Sequence, residues 1–318
     1  LLTSLEESRR MKTNLVKKRT HTKSNKIYNK SWQAIIFILP GLILAIAFIF
    51  YPMIKNIQIS FSDYDIMSGK LTFTGLNNYK ELFNESQQRF FTAYRNNILY
   101  AVVVTPITLF LGLIIAVAIN SIKKFSVTFK VIYYLPVITS WIIAGLVFKY
   151  LFNPGIQGPI NYLLVNILHI IPQPINWLKT EWGGNISIWI LGIWKNIGYA
   201  MLLYLAALQG INKSYYEVAD IEGATGLQKL KKVTIPLIKP TSFFLTIQLL
   251  IGSFNVFLQV LVLTGGDPRG KTSVLQYLLY TRTFKLYKFG EGAAIGILTA
   301  VSILIVTLIL NKKMKVDY

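Results

Sequence analysis

Three groups of polar residues interrupt otherwise apolar stretches of this sequence. Thr139, Ser140 and Trp141 form the first, and Lys195, Asn196, Tyr199 and Tyr204 the second. Gln248, Ser253, Asn255 and Gln259 form the third. Amides and hydroxyls both donate and accept hydrogen bonds, and aromatic faces stack on apolar surfaces. Together they can replace the water around a polar, uncharged solute. The same groups can equally serve as hydrogen bonds between membrane helices. Asn196 and Tyr199 lie three apart and share one helical face. Ser253 and Asn255 would point about 200° apart on a regular helix. Lys195 is a charge inside an apolar run. Such a charge is costly and marks a functional site, a snorkelling side chain or a solvated cavity.

Other chemistries are excluded. The sequence has no cysteine, which removes disulfides, Cys-ligated zinc, iron–sulfur clusters and thiol catalysis. His21 and His169 have no carboxylate or second His at ligand spacing, so neither a metal site nor His-based catalysis is expected. The run Gly265–Thr272 (Gly-Gly-Asp-Pro-Arg-Gly-Lys-Thr) fits the Walker A spacing. That pattern needs a strand before it and a helix after it to aim amides at phosphate, and here it follows an apolar span. No Asp or Glu lies deep in an apolar run. This counts against a proton- or sodium-coupled carrier, and no acid–base pair supports an enzyme embedded in the membrane.

The elements that must position these groups follow from composition. Of 318 residues, 53% are hydrophobic and only 14% charged, with a mean hydropathy of +0.49. A soluble domain carries about 25% charged residues, and disorder requires low hydrophobicity. A membrane helix needs about 20 apolar residues to cross about 30 Å of hydrocarbon. Six runs meet that length: Ala34–Ile54, Asn97–Ile119, Val131–Phe152, Ile186–Leu208, Ser242–Thr264 and Ala293–Leu310. The first lacks the small-residue cleavage site of a signal peptide. Tyr150–Leu178 is also uncharged over much of its length, but Pro154, Pro159, Pro172 and Pro174 break it. Its piece Ile160–Ile171 is expected to be a short helix at the interface or over the outer end of the bundle.

The net charge of +20 lies mainly in a basic tail and in the segments between spans, which points to a membrane and away from nucleic acid. With the N-terminus inside, the cytoplasmic segments hold 20 Lys or Arg and the outer segments 11. The positive-inside rule therefore places both termini in the cytoplasm. The expected organisation is a basic tail over residues 1–32, a six-span core over 33–312 and a cytoplasmic C-terminus over 313–318. Met11 reads as a natural start, with residues 1–10 an upstream extension expected to be disordered.

One cytoplasmic segment, 209–240, is patterned. Ser214 and Glu217 read as a capping box. Tyr215, Val218 and Ile221 then share a face, and Gly223 permits a turn with positive φ. A second helix over Leu227–Val233 is expected to stop before Pro236. Glu217-Val218-Ala219, three residues, Gly223, nine residues, then Val233-Thr234-Ile235-Pro236 resembles the EAA loop of bacterial ABC importer membrane subunits. The pattern there is Glu-Ala-Ala, three residues, Gly, nine residues, Ile-x-Leu-Pro. The resemblance runs from about Trp32 onward and is strongest to the larger membrane subunit of maltose-type sugar transporters. It is carried by Tyr134-Leu-Pro136, Phe148–Pro154, Gly158–Asn161, Trp177-Leu178, Trp194–Tyr199, Ala207–Ile211 and Thr264–Pro268.

That resemblance implies an all-α integral membrane protein with six transmembrane helices and the type I ABC importer permease fold, set in a bacterial plasma membrane. It implies a non-catalytic subunit that forms a path for a sugar or oligosaccharide. Its partners would be a second, homologous permease subunit, two ATPase subunits and an extracellular or periplasmic solute-binding protein. ATP and Mg would be bound by the ATPase subunits, and no cofactor by this chain. Glu217, Ala219, Gly223, Ala224 and Pro236 would couple to the ATPases. Trp141, Asn196, Tyr199, Ser253 and Val256 would line the pathway, with Asn255 beside them. The Gly265-Gly-Asp-Pro268 stretch would lie near the docking surface for the binding protein. A permease for another solute, such as glycerol phosphate or a polyamine, is the alternative.

Overall fold

The computed structural model describes residues 31–84, 89–122 and 124–313. Residues 1–30 of the basic tail, with Met11 and the extension before it, and the C-terminal residues from 314 lie outside that set. The chain divides at Lys55 into a first unit and a second unit of residues 56–318.

The first unit carries α1 (Ser31–Ala45), a π turn (Ile46–Phe50) and the start of α2 (Tyr51–Ser60). Pro40 lies inside α1. Ile35–Ser60 is long and apolar enough to cross a membrane, which extends the first expected span past Ile54.

The second unit continues with a hairpin, β1 (Ser62–Asp65) paired antiparallel with β2 (Lys70–Phe73), and a short α3 (Asn77–Asn84). Asn78 Nδ2 fastens them together by donating to the carbonyls of Ser60 and Ser62, both at 2.9 Å. Next come α4 (Arg89–Ser121), α5 (Ser126–Ile138), α6 (Trp141–Leu151) and α7 (Glu181–Gln209). Then follow α8 (Ser214–Ile221), α9 (Gly226–Lys229), α10 (Lys239–Phe254) and α11 (Leu258–Leu263). The chain ends on α12 (Leu275–Tyr280) and α13 (Phe289–Lys313).

Helices α4 and α7 form the central pair. Their contact is a seam of small residues: a Cβ on Gly112 would lie only 2.7 Å from the Cβ of Ala200, and Ala116 and Ala200 are fully buried. Small residues let membrane helices approach closely, where dispersion rather than the hydrophobic effect drives association. Around this seam Met201, Leu205, Leu208, Ile238 and Leu245 make one buried cluster, while Tyr100, Val104, Phe148, Ile188, Leu191 and Val260 anchor another.

Among the described residues, four helices are long and apolar enough to span, and there are up to six spans when each bent pair is counted as one. Two expected spans are interrupted. The third bends by 97° between α5 and α6. The fifth ends as a regular helix at Phe254 and resumes at Leu258. The 200° offset expected between Ser253 and Asn255 therefore does not apply, because Asn255 is already past the helix.

The proline-broken segment carries the expected short helix, as Pro159–Tyr162 running into a π turn over Leu163–Ile167, and it stops short of Ile171. The buried Asn161 fixes the fold around it: Nδ2 donates to the carbonyls of Gly155 and Ile175, and Oδ1 accepts from Ile175 N–H and Trp177 Nε1–H at 3.1 and 2.9 Å.

Candidate functional site

Both interruptions fall on one cavity of about 500 Å³. Trp141 is the first residue of α6, Asn196 and Tyr199 lie on α7, Ser253 on α10, and Asn255 in the gap after it. All five line this single space. They come from three separate chain segments. Gln248 and Gln259 line it as well, and every lining residue is uncharged.

Val256 does not line it. It is 1% exposed and packs in the core cluster with Val260 and Tyr277.

Local bonds set the polarity of the walls. Ser253 Oγ donates to the Leu249 carbonyl at 2.8 Å and Asn196 Nδ2 to the Gly192 carbonyl at 2.8 Å. Asn255 Nδ2 donates to the Ile251 carbonyl at 3.0 Å, while its Oδ1 accepts from Gln276 Nε2 at 3.3 Å. Leu249, Gly252, Phe257 and Leu258 also line the cavity, as do Tyr100, Val104 and Thr105 of α4. Sequence reasoning passed over them because they sit in an unbroken apolar run. The buried Thr105 hydroxyl has no hydrogen-bond partner among the described residues. An unpartnered buried hydroxyl carries a desolvation cost.

Lys195 is buried beside the cavity. Its ammonium donates to backbone carbonyls of Pro136, Val137 and Thr139. It neither snorkels nor stands in open water.

The second site is the projecting segment after α7. Helix α8 ends in a turn that explains the motif spacing. Gly223 takes φ +71°, its N–H donates to the Asp220 carbonyl at 3.0 Å, and Ala224 N–H reaches back to the Ala219 carbonyl at 2.9 Å. This is the glycine-centred helix stop in which two amides satisfy the last free carbonyls. Lys229 pairs with Asp220 across the two arms, and Tyr216 Oη meets Thr234 Oγ1 at 3.0 Å. The shared face of Tyr215, Val218 and Ile221 is exposed, Ile221 by 85%. Glu217 and Pro236 are exposed, and Ala219 and Ala224 half-buried.

Two expectations about this segment are corrected. Ser214 is already helical and makes no cap; Asn212 Oδ1 accepts its N–H instead at 3.1 Å. The capping box forms at Thr225 and Gln228. The second arm also does not stop before Pro236. It continues as a π turn (Leu230–Thr234) and a last helical turn (Ile235–Leu237), then bends by 66° into α10. Proline is tolerated there because it opens a new turn.

The Walker-like run is a loop between α11 and α12 with no strand before it. The Gly265 amide is already bonded to the Val260 carbonyl of α11, and those of Asp267, Lys271, Thr272 and Ser273 to loop carbonyls, so they are not free to cradle a phosphate. Asn96 Nδ2 secures this loop by donating to the Lys271 and Ser273 carbonyls at 2.8 and 2.7 Å. Among the described residues, no group of three His, Asp or Glu could hold a metal ion.

Residues 108–315 match the family described as binding-protein-dependent transport system inner membrane components. The arabinooligosaccharides transport system permease protein AraP of Halalkalibacterium halodurans is 32% identical over 86% of this chain and 84% of its own. The lactose transport system permease protein LacF of Rhizobium radiobacter is 33% identical over 79% of this chain and 83% of its own. Among solved structures, a bacterial alginate ABC transporter in complex with an alginate pentasaccharide-bound periplasmic protein has a chain with a TM-score of 0.75. It is 25% identical, and the match covers 92% of this chain and 96% of that one.

Proposed function

The chain belongs to the family of binding-protein-dependent transport system inner membrane components, and on that premise we propose that it forms the membrane path for a neutral sugar or oligosaccharide. The observation that carries this is the cavity wall: hydroxyls, amides and aromatic faces set among aliphatic side chains, with no charged side chain, around about 500 Å³. Small-ligand pockets run from about 300 to 1,000 Å³. A neutral polyol can exchange its water for such groups. A phosphate or a polyamine would find no counter-charge there. The names of the sugar-permease relatives AraP and LacF agree with this class.

The chain works with a second permease subunit, two ATPase subunits that bind ATP and its Mg, and a solute-binding protein. The exposed face of Tyr215, Val218 and Ile221, with Glu217 beside it, docks on the ATPase pair at the cytoplasmic side. The loop at 264–273 lies on the outer side, near the binding protein. Both termini are cytoplasmic. ATP-driven closure of the ATPases moves the α8–α9 arm and switches the path between inward- and outward-facing states, through contacts that differ between the two.

Uptake of labelled arabinotriose, lactose and maltotriose, compared with glycerol 3-phosphate and spermidine, tests the substrate class. Transport of only the charged solutes overturns it. Uptake that survives deletion of the ATPase subunits and stops with an ionophore would instead make the chain an ion-coupled carrier.

A further inference from the structure

The α5–α6 interruption leaves a set of backbone carbonyls to be satisfied. Helix α5 ends at Ile138, and Thr139 and Ser140 are extended. Carbonyls of a last helical turn have no intrahelical donor, and at membrane depth no bulk water replaces it. Thr139 N–H and Oγ1–H serve the Pro136 and Leu135 carbonyls at 3.3 and 2.9 Å. Lys195 of α7 adds donors to the Val137 and Thr139 carbonyls and a second one to Pro136. Its Nζ lies 2.9 Å from the Pro136 oxygen, 3.2 Å from that of Val137 and 2.5 Å from that of Thr139.

An ammonium has three protons, so these three acceptors saturate it. Its charge also lies at the C-terminal end of α5, the negative end of the helix dipole. Lys195 is 4% exposed, and this position is reached because Gly198, three residues on, lets α7 close against the backbone of α5 at Tyr133. The same Nζ stands 4.7 Å from the centroid of the Trp141 ring. Trp141 is the first residue beyond the interruption, and it lines the cavity.

We propose that Lys195 is a positioning residue for transport: its ammonium fixes the α5–α6 interruption from behind and holds the Trp141 ring on the cavity wall. With all three protons engaged, it does not itself bind solute. It contributes rigidity to the wall and leaves the lining uncharged. The word transport rests on the pathway reading, whereas the placement of Trp141 can be tested without any substrate.

The test uses acrylamide quenching of tryptophan fluorescence in the detergent-solubilised transporter complex. The Trp141 contribution is isolated as the difference between each protein and its Trp141→Phe counterpart, which removes the signal of every other tryptophan. In Lys195→Met the ring loses its cation and its backbone anchor, and the quenching constant of the Trp141 component is expected to rise about twofold, while the remaining tryptophans quench as before. An unchanged Trp141 component overturns the proposal, and so does an equal rise in every tryptophan, which would report general loosening. Should Lys195→Met not assemble, Lys195→Gln keeps part of the hydrogen bonding and is measured in the same way. If neither variant assembles while Trp141→Phe does, Lys195 serves folding alone and the positioning role is wrong. Failure of sugar uptake in the wild-type complex would leave these readings intact, so the two ideas fail separately.

Discussion

Gly198 of α7 passes so close to Tyr133 of α5 that a Cβ at 198 would lie 2.0 Å from the Tyr133 carbonyl oxygen and 2.9 Å from its carbonyl carbon. Backbone atoms inside a helix cannot move aside as the end of a flexible side chain can. The contact therefore requires glycine for space, not for an unusual φ. It also sets the distance at which Lys195 meets the end of α5.

Gly198→Ala is accordingly expected to separate α5 from α7, with overpacking costs of about 1–3 kcal/mol or more. The yield of assembled complex should fall and its thermal transition should drop by several degrees. Gly252→Ala is the control, since a Cβ there meets nothing within 4 Å. Equal thermal stability of the two variants would show that the close approach does not matter.

How much of this was legible in the sequence depends on the scale of the interaction. The membrane helices were, because about 20 apolar residues in a row leave few alternatives. The turn at Gly223 was legible because positive φ is a local demand. The breaks at Thr139–Ser140 and Asn255–Phe257 were not. They lie inside uncharged runs, and the first is stabilised by a side chain about 56 positions downstream, Lys195 on Thr139. Val256 moved into the core for the same reason: its side depends on a break that propensity does not announce. Thr105 was hidden in the apolar run of α4. The one local signal there is the neighbouring Pro106 within the helix, which lacks an N–H for the carbonyl one turn before it.

The glycine turn of the projecting arm leads to a prediction about coupling. Gly223 combines φ +71° with an N–H bonded to the Asp220 carbonyl. Proline fixes φ near −65° and has no N–H, so Gly223→Pro must redirect the chain between α8 and α9. The membrane helices do not depend on this turn. The expected variant assembles, keeps basal ATP hydrolysis and loses most solute uptake. Uptake at the wild-type rate per assembled complex would remove this turn from the coupling mechanism.

Sidedness can be read with single cysteines, because the chain has none of its own. Met67, at the hairpin tip, is 95% exposed, and Ser214, at the start of α8, is exposed. In intact cells an impermeant maleimide is expected to label Met67→Cys and to label Ser214→Cys only after permeabilisation. Labelling of the Ser214 variant in intact cells would put the arm outside, where no ATPase could reach it.

The cavity wall itself offers the most direct comparison of a solute path with a mere helix contact. Tyr199 presents a ring face and a hydroxyl, and Asn196 presents an amide whose nitrogen is already committed to the Gly192 carbonyl at 2.8 Å. Thr105 presents a buried hydroxyl without a partner among the described residues. If these groups serve only packing between helices, Tyr199→Ala should lower assembly and leave transport per assembled complex unchanged. Thr105→Val, which removes at nearly constant volume an unsatisfied hydroxyl closed off from the cavity, should raise stability in either case. If Tyr199 and Asn196 line the path, each variant loses a bond to the moving solute, about 0.5–1.5 kcal/mol or roughly 2- to 10-fold. Tyr199→Ala and Asn196→Ala are then expected to reduce uptake per assembled complex several-fold with basal ATP hydrolysis near normal. Wild-type uptake kinetics in both would mean that the solute passes elsewhere.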